Sequence, residues 1–157
     1  MLARIPGFLY KICRPGIYLL LHRSRRTRVV IRYKDEVLLI RSNFGEQKWG
    51  LPGGGIKRSE TADQSAVREV YEEVGIALSP TKLTFITEQR SGYGPLGWPY
   101  VDLLFYEYRL TKKPAHLTLQ RLEVSEATWV SLSNAVDTTE AHTTNALRIM
   151  IDKTNSK

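Results

Sequence analysis

The chain has 157 residues, of which 42% are hydrophobic, 10% aromatic and 25% charged, the balance of one globular domain; it excludes a disordered or fibrous chain and leaves room for a core without disulfides. The single cysteine, Cys13, excludes an intramolecular disulfide framework and a cysteine-based zinc cluster, and suits a reducing compartment, with the cytoplasm as the expectation. The formal charge of +7 is unevenly spread: nine of the 23 Lys and Arg lie in residues 1–34, which hold no acid, and the remaining 14 face 16 acidic residues in a mildly acidic body.

Within the basic segment, Ile17, Tyr18, Leu19, Leu20 and Leu21 form an apolar run too short for a signal core or a membrane span. Pro15 and Gly16 interrupt what precedes it, and Arg23, Arg25 and Arg26 follow without a small-residue cleavage site. No transmembrane helix is expected. Leu2, Ile5, Leu9 and Ile12 recur at helical spacing, which predicts a short amphipathic helix before Pro15. It is read first as an extra helix packed on the domain and second as a basic surface, within residues 4–32, for RNA or an anionic membrane. Residues 1–27 are accordingly expected as an N-terminal extension and residues 28–157 as the domain. A homodimer in which residues 1–27 swap onto a neighbouring copy is compatible with the sequence.

Arg28–Tyr33 and Val37–Arg41 read as two strands of a hairpin turning at Lys34-Asp35-Glu36. Trp49-Gly50-Leu51-Pro52 leads into Gly53-Gly54-Gly55, a backbone that needs unusual dihedrals or close approach to something. A helix is predicted from Glu60 to Val74, with Ser59 as N-cap and Gly75 as the left-handed C-terminal residue. Leu83–Gln89 and Tyr100–Leu110 read as strands joined by the loop Ser91–Pro99. Trp129-Val130 reads as a short strand and Thr143–Lys153 as a closing helix, which gives a mixed α/β or α+β domain.

On the Glu60–Val74 helix, Glu69, Glu72 and Glu73 crowd one face, while Val67, Val70, Tyr71 and Val74 fall on the opposite arc for burial. Like charges at this spacing repel, so something positive is implied. One candidate is a hard divalent cation such as magnesium, which takes oxygen ligands and bridges carboxylates to phosphates. The rival is Arg68, paired with Glu69 or Glu72 on a solvated face. Ala62 and Ala66 are small enough to let the glycine loop fold back beside the carboxylates.

Gly54, five residues, Glu60, seven residues, then Arg68-Glu69-Val70-Tyr71-Glu72-Glu73-Val74-Gly75-Ile76 fills each position of a pattern that resembles the Nudix box. The likeness covers 23 residues directly, and Trp49–Gly53 and Trp129-Val130-Ser131-Leu132 extend it to about Val29–Ile151. The resemblance implies a Nudix-like α/β/α sandwich with a mixed β-sheet between helices, and a magnesium- or manganese-dependent hydrolase of a nucleoside diphosphate linked to another group. It further implies a metal on Glu69, Glu72, Glu73 and the carbonyl of Gly54, with Arg68 orienting a glutamate and Glu60 supporting the set from behind. A carboxylate must take a proton from the attacking water. Glu69 ranks first, and Glu123 is the alternative or an extra metal ligand, while Glu126, from the same later loop, reads equally as a candidate and as ordinary surface charge.

For the substrate, Tyr93, Trp98 and Tyr100 stand among glycines and prolines in a loop that either stacks on a nucleobase or covers a core edge, and Phe44 has the same two readings. Arg41 and Lys48 precede the glycine loop and are candidates to neutralise phosphates. His22, His116 and His142 lack metal-ligand spacing. A small-molecule nucleotide derivative is the expected substrate. The alternatives are an RNA 5′ end held by the basic segment, a lipid-linked diphosphate at a membrane surface, and a non-catalytic nucleotide-binding regulator.

Overall fold

The computed structural model describes residues 24–43, 48–92 and 100–156. Its strands are β1 (Ser24–Tyr33), β2 (Glu36–Ser42), β3 (Trp49–Gly50), β4 (Thr84–Ser91), β5 (Val101–Arg109) and β6 (Val124–Ser131). Its helices are α1 (Ala62–Val74), α2 (Leu132–Thr138) and α3 (Ala141–Asn155). The sheet runs β3-β2-β1-β5-β4, with β6 on the remaining edge of β2. β1 and β5 are parallel and the other pairs antiparallel, so the sheet is mixed.

Side chains alternate across the strands and feed two cores. Val29, Ile31, Leu38 and Tyr106 meet Val70 and Val74 of α1 on one face. Val30, Leu39 and Phe105 meet Ala135 of α2 and Leu147 and Met150 of α3 on the other. Helices thus cover both faces, as the Nudix resemblance implies.

The feature that positions the site is a parting of two strands. β6 pairs along β2 from Glu36 to Ser42, while the other edge of β2 meets β1 only at Arg32–Val37 and Tyr33–Glu36. Beyond that the glycine segment takes the place of β2. Thr27 N–H donates to Gly54 O at 2.8 Å, Val29 N–H to Pro52 O at 2.9 Å, and Ile56 N–H to Arg25 O at 3.0 Å. Gly53 adopts a φ of 138°, and a Cβ there would collide with the Thr27 carbonyl. Only glycine fits so close to β1.

Several local expectations are corrected. Helix α1 starts at Ala62 rather than Glu60, because Thr61 and Gln64 form a reciprocal capping box that outcompetes Ser59. Its end is as expected, with Gly75 left-handed at φ 74°. Tyr71 is 61% exposed, since it lies about 100° round the helix from Val70 and outside the buried arc. Ala66 is fully buried in the core, and Ser65 is the residue that touches the loop, its Oγ donating to Gly55 O at 3.2 Å. β1 begins at Ser24, four residues before the expected Arg28, because the chain there pairs with β5 from Val101 onward. β6 is longer than Trp129-Val130 because β2 templates it. Helix α2, capped by Ser131 Oγ, had no apolar repeat long enough to announce it. Among the described residues no helix is long and apolar enough to cross a membrane.

Phe105 is fully buried, whereas Phe85 on the outer strand is 49% exposed. Phe105→Ala is expected to lower unfolding stability by about 3–5 kcal/mol, and Phe85→Ala by roughly 1 kcal/mol or less. Urea denaturation of both variants checks this, and equal losses would contradict the assignment of the second core.

Candidate active site

The site lies where α1 faces the glycine segment. Arg68 is its hub. Its Nε donates to Glu60 Oε2 at 3.0 Å and its Nη2 to Glu60 Oε1 at 2.6 Å, a two-pronged pair. Nη1 donates to Glu69 Oε1 at 2.8 Å and to Glu72 Oε2 at 3.0 Å. Nη2 also reaches the Gly55 carbonyl at 3.1 Å. One guanidinium therefore ties the approach to α1, two turns of α1 and the glycine segment together. Glu60 Oε1 additionally accepts the Lys57 N–H at 2.8 Å. The Arg68 bonds hold the Glu60 carboxyl down to about 2, and the same bonds raise Arg68 above the usual arginine range.

Glu73 is 8% exposed and accepts the Gly53 N–H at 2.8 Å. Burial is the main cause that pushes its carboxyl up to about 7. The Gly53 bond and Arg28 oppose that shift, and the charges of Glu69 and Glu123 add to it. Glu69 lies so close to Gly54 that a Cβ on that glycine would strike its carboxylate. Glu123 is brought to this side by Asn43, whose N–H donates to Glu123 O at 2.7 Å and whose side-chain amide donates to Arg121 O at 2.8 Å and Leu122 O at 3.2 Å.

The structure thus brings together Glu60, Arg68, Glu69, Glu72, Glu73 and Gly54, with Glu123 near enough to act on Glu73. Arg41 pairs with Glu126 at 3.1 Å and stacks 4.3 Å over the Trp49 ring. Lys48 is exposed just ahead of β3. Phe44, Tyr93 and Trp98 lie outside the described residues. The Gly54 carbonyl, implied as a metal ligand, accepts the Thr27 N–H. Among the described residues no three His, Cys, Asp or Glu stand close enough to hold a metal ion; Arg68 draws Glu69 and Glu72 to itself while Gly53 holds Glu73. The donor chemistry still fits a hard divalent cation, because Glu69, Glu72 and Glu73 offer carboxylate oxygens from neighbouring turns of α1, with the guanidiniums of Arg68 and Arg28 to offset them.

Arg28 was not singled out in the sequence. Its Nη1 donates to Gly53 O at 2.5 Å and to Thr27 O at 3.0 Å, and burial lowers it to about 10. Its signal becomes legible only once the glycine segment is known to lie along β1. Asn43 was missed too, since a lone Asn after a strand reads as a turn residue.

A glycine segment inlaid beside a parallel strand pair, under a helix whose carboxylates gather round one arginine, defines an α+β domain of the Nudix type. The chain belongs to the NUDIX domain family, which it matches over residues 22–150. It is 45% identical to diphosphoinositol polyphosphate phosphohydrolase 3-alpha of Mus musculus over 56 residues, 36% of this chain and 34% of that protein. It is 46% identical to the RNA pyrophosphohydrolase of Shewanella sp. (strain MR-7) over 48 residues, 31% of this chain and 26% of that protein. In these alignments the chain spans about a third or less of each relative's length. The fold matches the crystal structure of a C. elegans Ap4A hydrolase binary complex with a TM-score of 0.65 at 22% identity, over 85% of this chain and 99% of that one. Nudix hydrolases use divalent metal ions and bind nucleotides.

The Glu60–Arg68 pair has a pH signature. A carboxyl held near 2 when folded and 4.5 when free stabilises the fold above 4.5, and that contribution is lost as pH falls through about 2. Urea midpoints between pH 5 and pH 2, values about spanning that window, are expected to fall more steeply for the wild type than for Glu60→Gln. Parallel curves would show that the pair carries no such linkage.

Proposed function

We propose that this chain is a divalent-metal-dependent hydrolase that cleaves a diphosphate linkage in a nucleotide or nucleoside diphosphate derivative, with magnesium, or manganese in its place. The observation that carries this reading is the complete carboxylate set of Glu69, Glu72 and Glu73 gathered against the glycine segment by Arg68 and Gly53. A non-catalytic regulator has no need to keep three repelling carboxylates together.

A diphosphate resists hydrolysis because its oxygens repel an incoming nucleophile. Glu69, Glu72 and Glu73, with a carbonyl of the glycine segment such as that of Gly54, would hold the cation. Bound there, it supplies neutralisation of the phosphate oxygens and makes water more acidic. The remaining work falls to the chain itself. Glu69, pressed against Gly54, is the first candidate to take the proton from water attacking in line at phosphorus, with Glu123 as the alternative or an added ligand. Arg68 orients Glu69, and Glu60 in turn holds Arg68. Arg41 and Lys48 supply positive charge on the strand and loop before the glycines. The lone Cys13 supports a cytoplasmic setting.

The names of the relatives favour phosphorylated substrates of several kinds. The Shewanella relative's name supports a second reading, release of pyrophosphate from an RNA 5′ end held by basic residues within 4–32. Steeply salt-dependent RNA binding would be its mark.

Phosphate and pyrophosphate release is to be measured over nucleotides, nucleotide sugars, dinucleotides and triphosphorylated RNA with magnesium or manganese. The wild type is expected to cleave at least one compound, and Glu73→Gln to lose about 100-fold or more of that rate. Binding of nucleotide and metal without cleavage of any compound would overturn the hydrolase reading.

A further inference from the structure

The face of the sheet under α2 and α3 carries a cavity of about 230 Å³, lined by Leu39, Trp49, Thr128, Val130, Asn134 and Thr138. Its floor follows from strand register. Leu39 lies opposite Thr128 in the β2–β6 ladder, and Val130 comes two residues later on the same face. Trp49 of β3 forms one wall, and Asn134 and Thr138, one turn apart on α2, form another. Pockets that enclose a drug-sized ligand run to roughly 300–1,000 Å³, so this one suits a single ring system and not a whole nucleotide.

The Trp49 ring is held in place. Arg41 lies over it at 4.3 Å and is itself tied to Glu126 at 3.1 Å, while the Trp49 backbone bridges to Thr139 just past α2. An indole has two faces, and a guanidinium fixed on one makes the ring a rigid platform for a second flat group. Asn134 supplies the polar contact. Its main chain is spent, the N–H donating to Ser131 Oγ at 3.3 Å and the carbonyl accepting from Thr138 Oγ1 at 2.7 Å. Its side-chain amide makes no hydrogen bond to a described residue, and the residue is exposed. An amide offers a donor and an acceptor side by side, the complement of the N6/N7 edge of adenine, whereas guanine presents two acceptors there. β3 runs directly into the glycine segment, and the step from Trp49 to Gly53 spans at most about 14 Å, within reach of a ribose and its first phosphates.

We propose that this cavity is an adenine subsite, in which the base lies against Trp49 and pairs its N6/N7 edge with the amide of Asn134. This rests on the hydrolase reading above and narrows its substrate to adenine nucleotides, whose ribose and phosphates extend toward the glycine segment.

Calorimetric titration of the full chain in EDTA with AMP, GMP and ribose 5-phosphate tests the subsite without cleavage, since none of the three holds a diphosphate. The wild type is expected to bind AMP at least about tenfold more tightly than either of the others. Asn134→Ala should remove the preference for AMP over GMP, and because Asn134 is exposed this variant should fold. Trp49→Leu should remove most of the preference for AMP over ribose 5-phosphate, and Trp49→Phe, which keeps an aromatic face, should restore part of it. Lys82→Gln, exposed between α1 and β4, should keep both preferences. Equal affinity of the wild type for AMP and either of the others, or an undiminished preference for AMP over GMP in Asn134→Ala, overturns the subsite. A chain that cleaves diphosphates without preferring AMP would sink the subsite and leave the hydrolase reading standing; one that prefers AMP through Asn134 yet cleaves nothing would do the reverse.

Discussion

The arrangement depends on one guanidinium. Arg68 is 21% exposed at its side chain and bonds to Glu60, Glu69, Glu72 and the Gly55 carbonyl. Without it, Glu69 and Glu72 would repel each other and Glu73 across adjacent turns, and the chain before α1 would have no ionic tie to the helix. Lysine carries the same charge but cannot bond in several directions from a rigid plane. The partly buried location of Arg68, Glu60 and Glu69 makes the loss of any of these three more costly than breaking an exposed pair, whereas Glu72, 47% exposed at its side chain, adds a weaker surface pair.

The second constraint is the separation of β1 from β2. A continuous hairpin would have used the N–H groups of Thr27 and Val29 for strand pairing. Because β1 meets β2 only at Arg32 and Tyr33, the hairpin leaves them to the carbonyls of Gly54 and Pro52. The glycine segment thereby becomes a strand-like inlay, held on one side by β1 and on the other by α1 through Arg68, Ser65 and Glu73. The same inlay brings Arg28 to the carbonyl of Gly53, the residue whose N–H holds Glu73. The carboxylates gathered on the α1 side and the Arg28 bond reaching in from the α3 side both follow from this one topological choice.

Much of this was legible in the sequence. Apolar runs marked β1, β2 and β5, the spacing of Glu69, Glu72 and Glu73 marked a shared face, and Gly54 through Ile76 carried the family resemblance. The rest depended on partners distant in the chain. The length of β6 follows from β2, and the start of β1 at Ser24 follows from β5. The pairing of Arg41 with Glu126 needed the β2–β6 register, so its charge reads differently in the fold than in the sequence. Arg28 looked like the first residue of a strand and became part of the site only through Gly53. The cap at Thr61 was local and readable, since Thr61 and Gln64 form a capping box, but the neighbouring Ser59 competes for the same reading.

The most direct measurement is diphosphate cleavage by Arg68→Lys beside its unfolding midpoint. Charge is kept and only the shared geometry of Glu60, Glu69, Glu72 and Gly55 is lost. The variant is expected to fold and its kcat to fall about 100-fold, the scale expected when reacting groups are displaced by about an ångström. A variant that folds and turns over like the wild type would contradict the claim that this guanidinium organises the site.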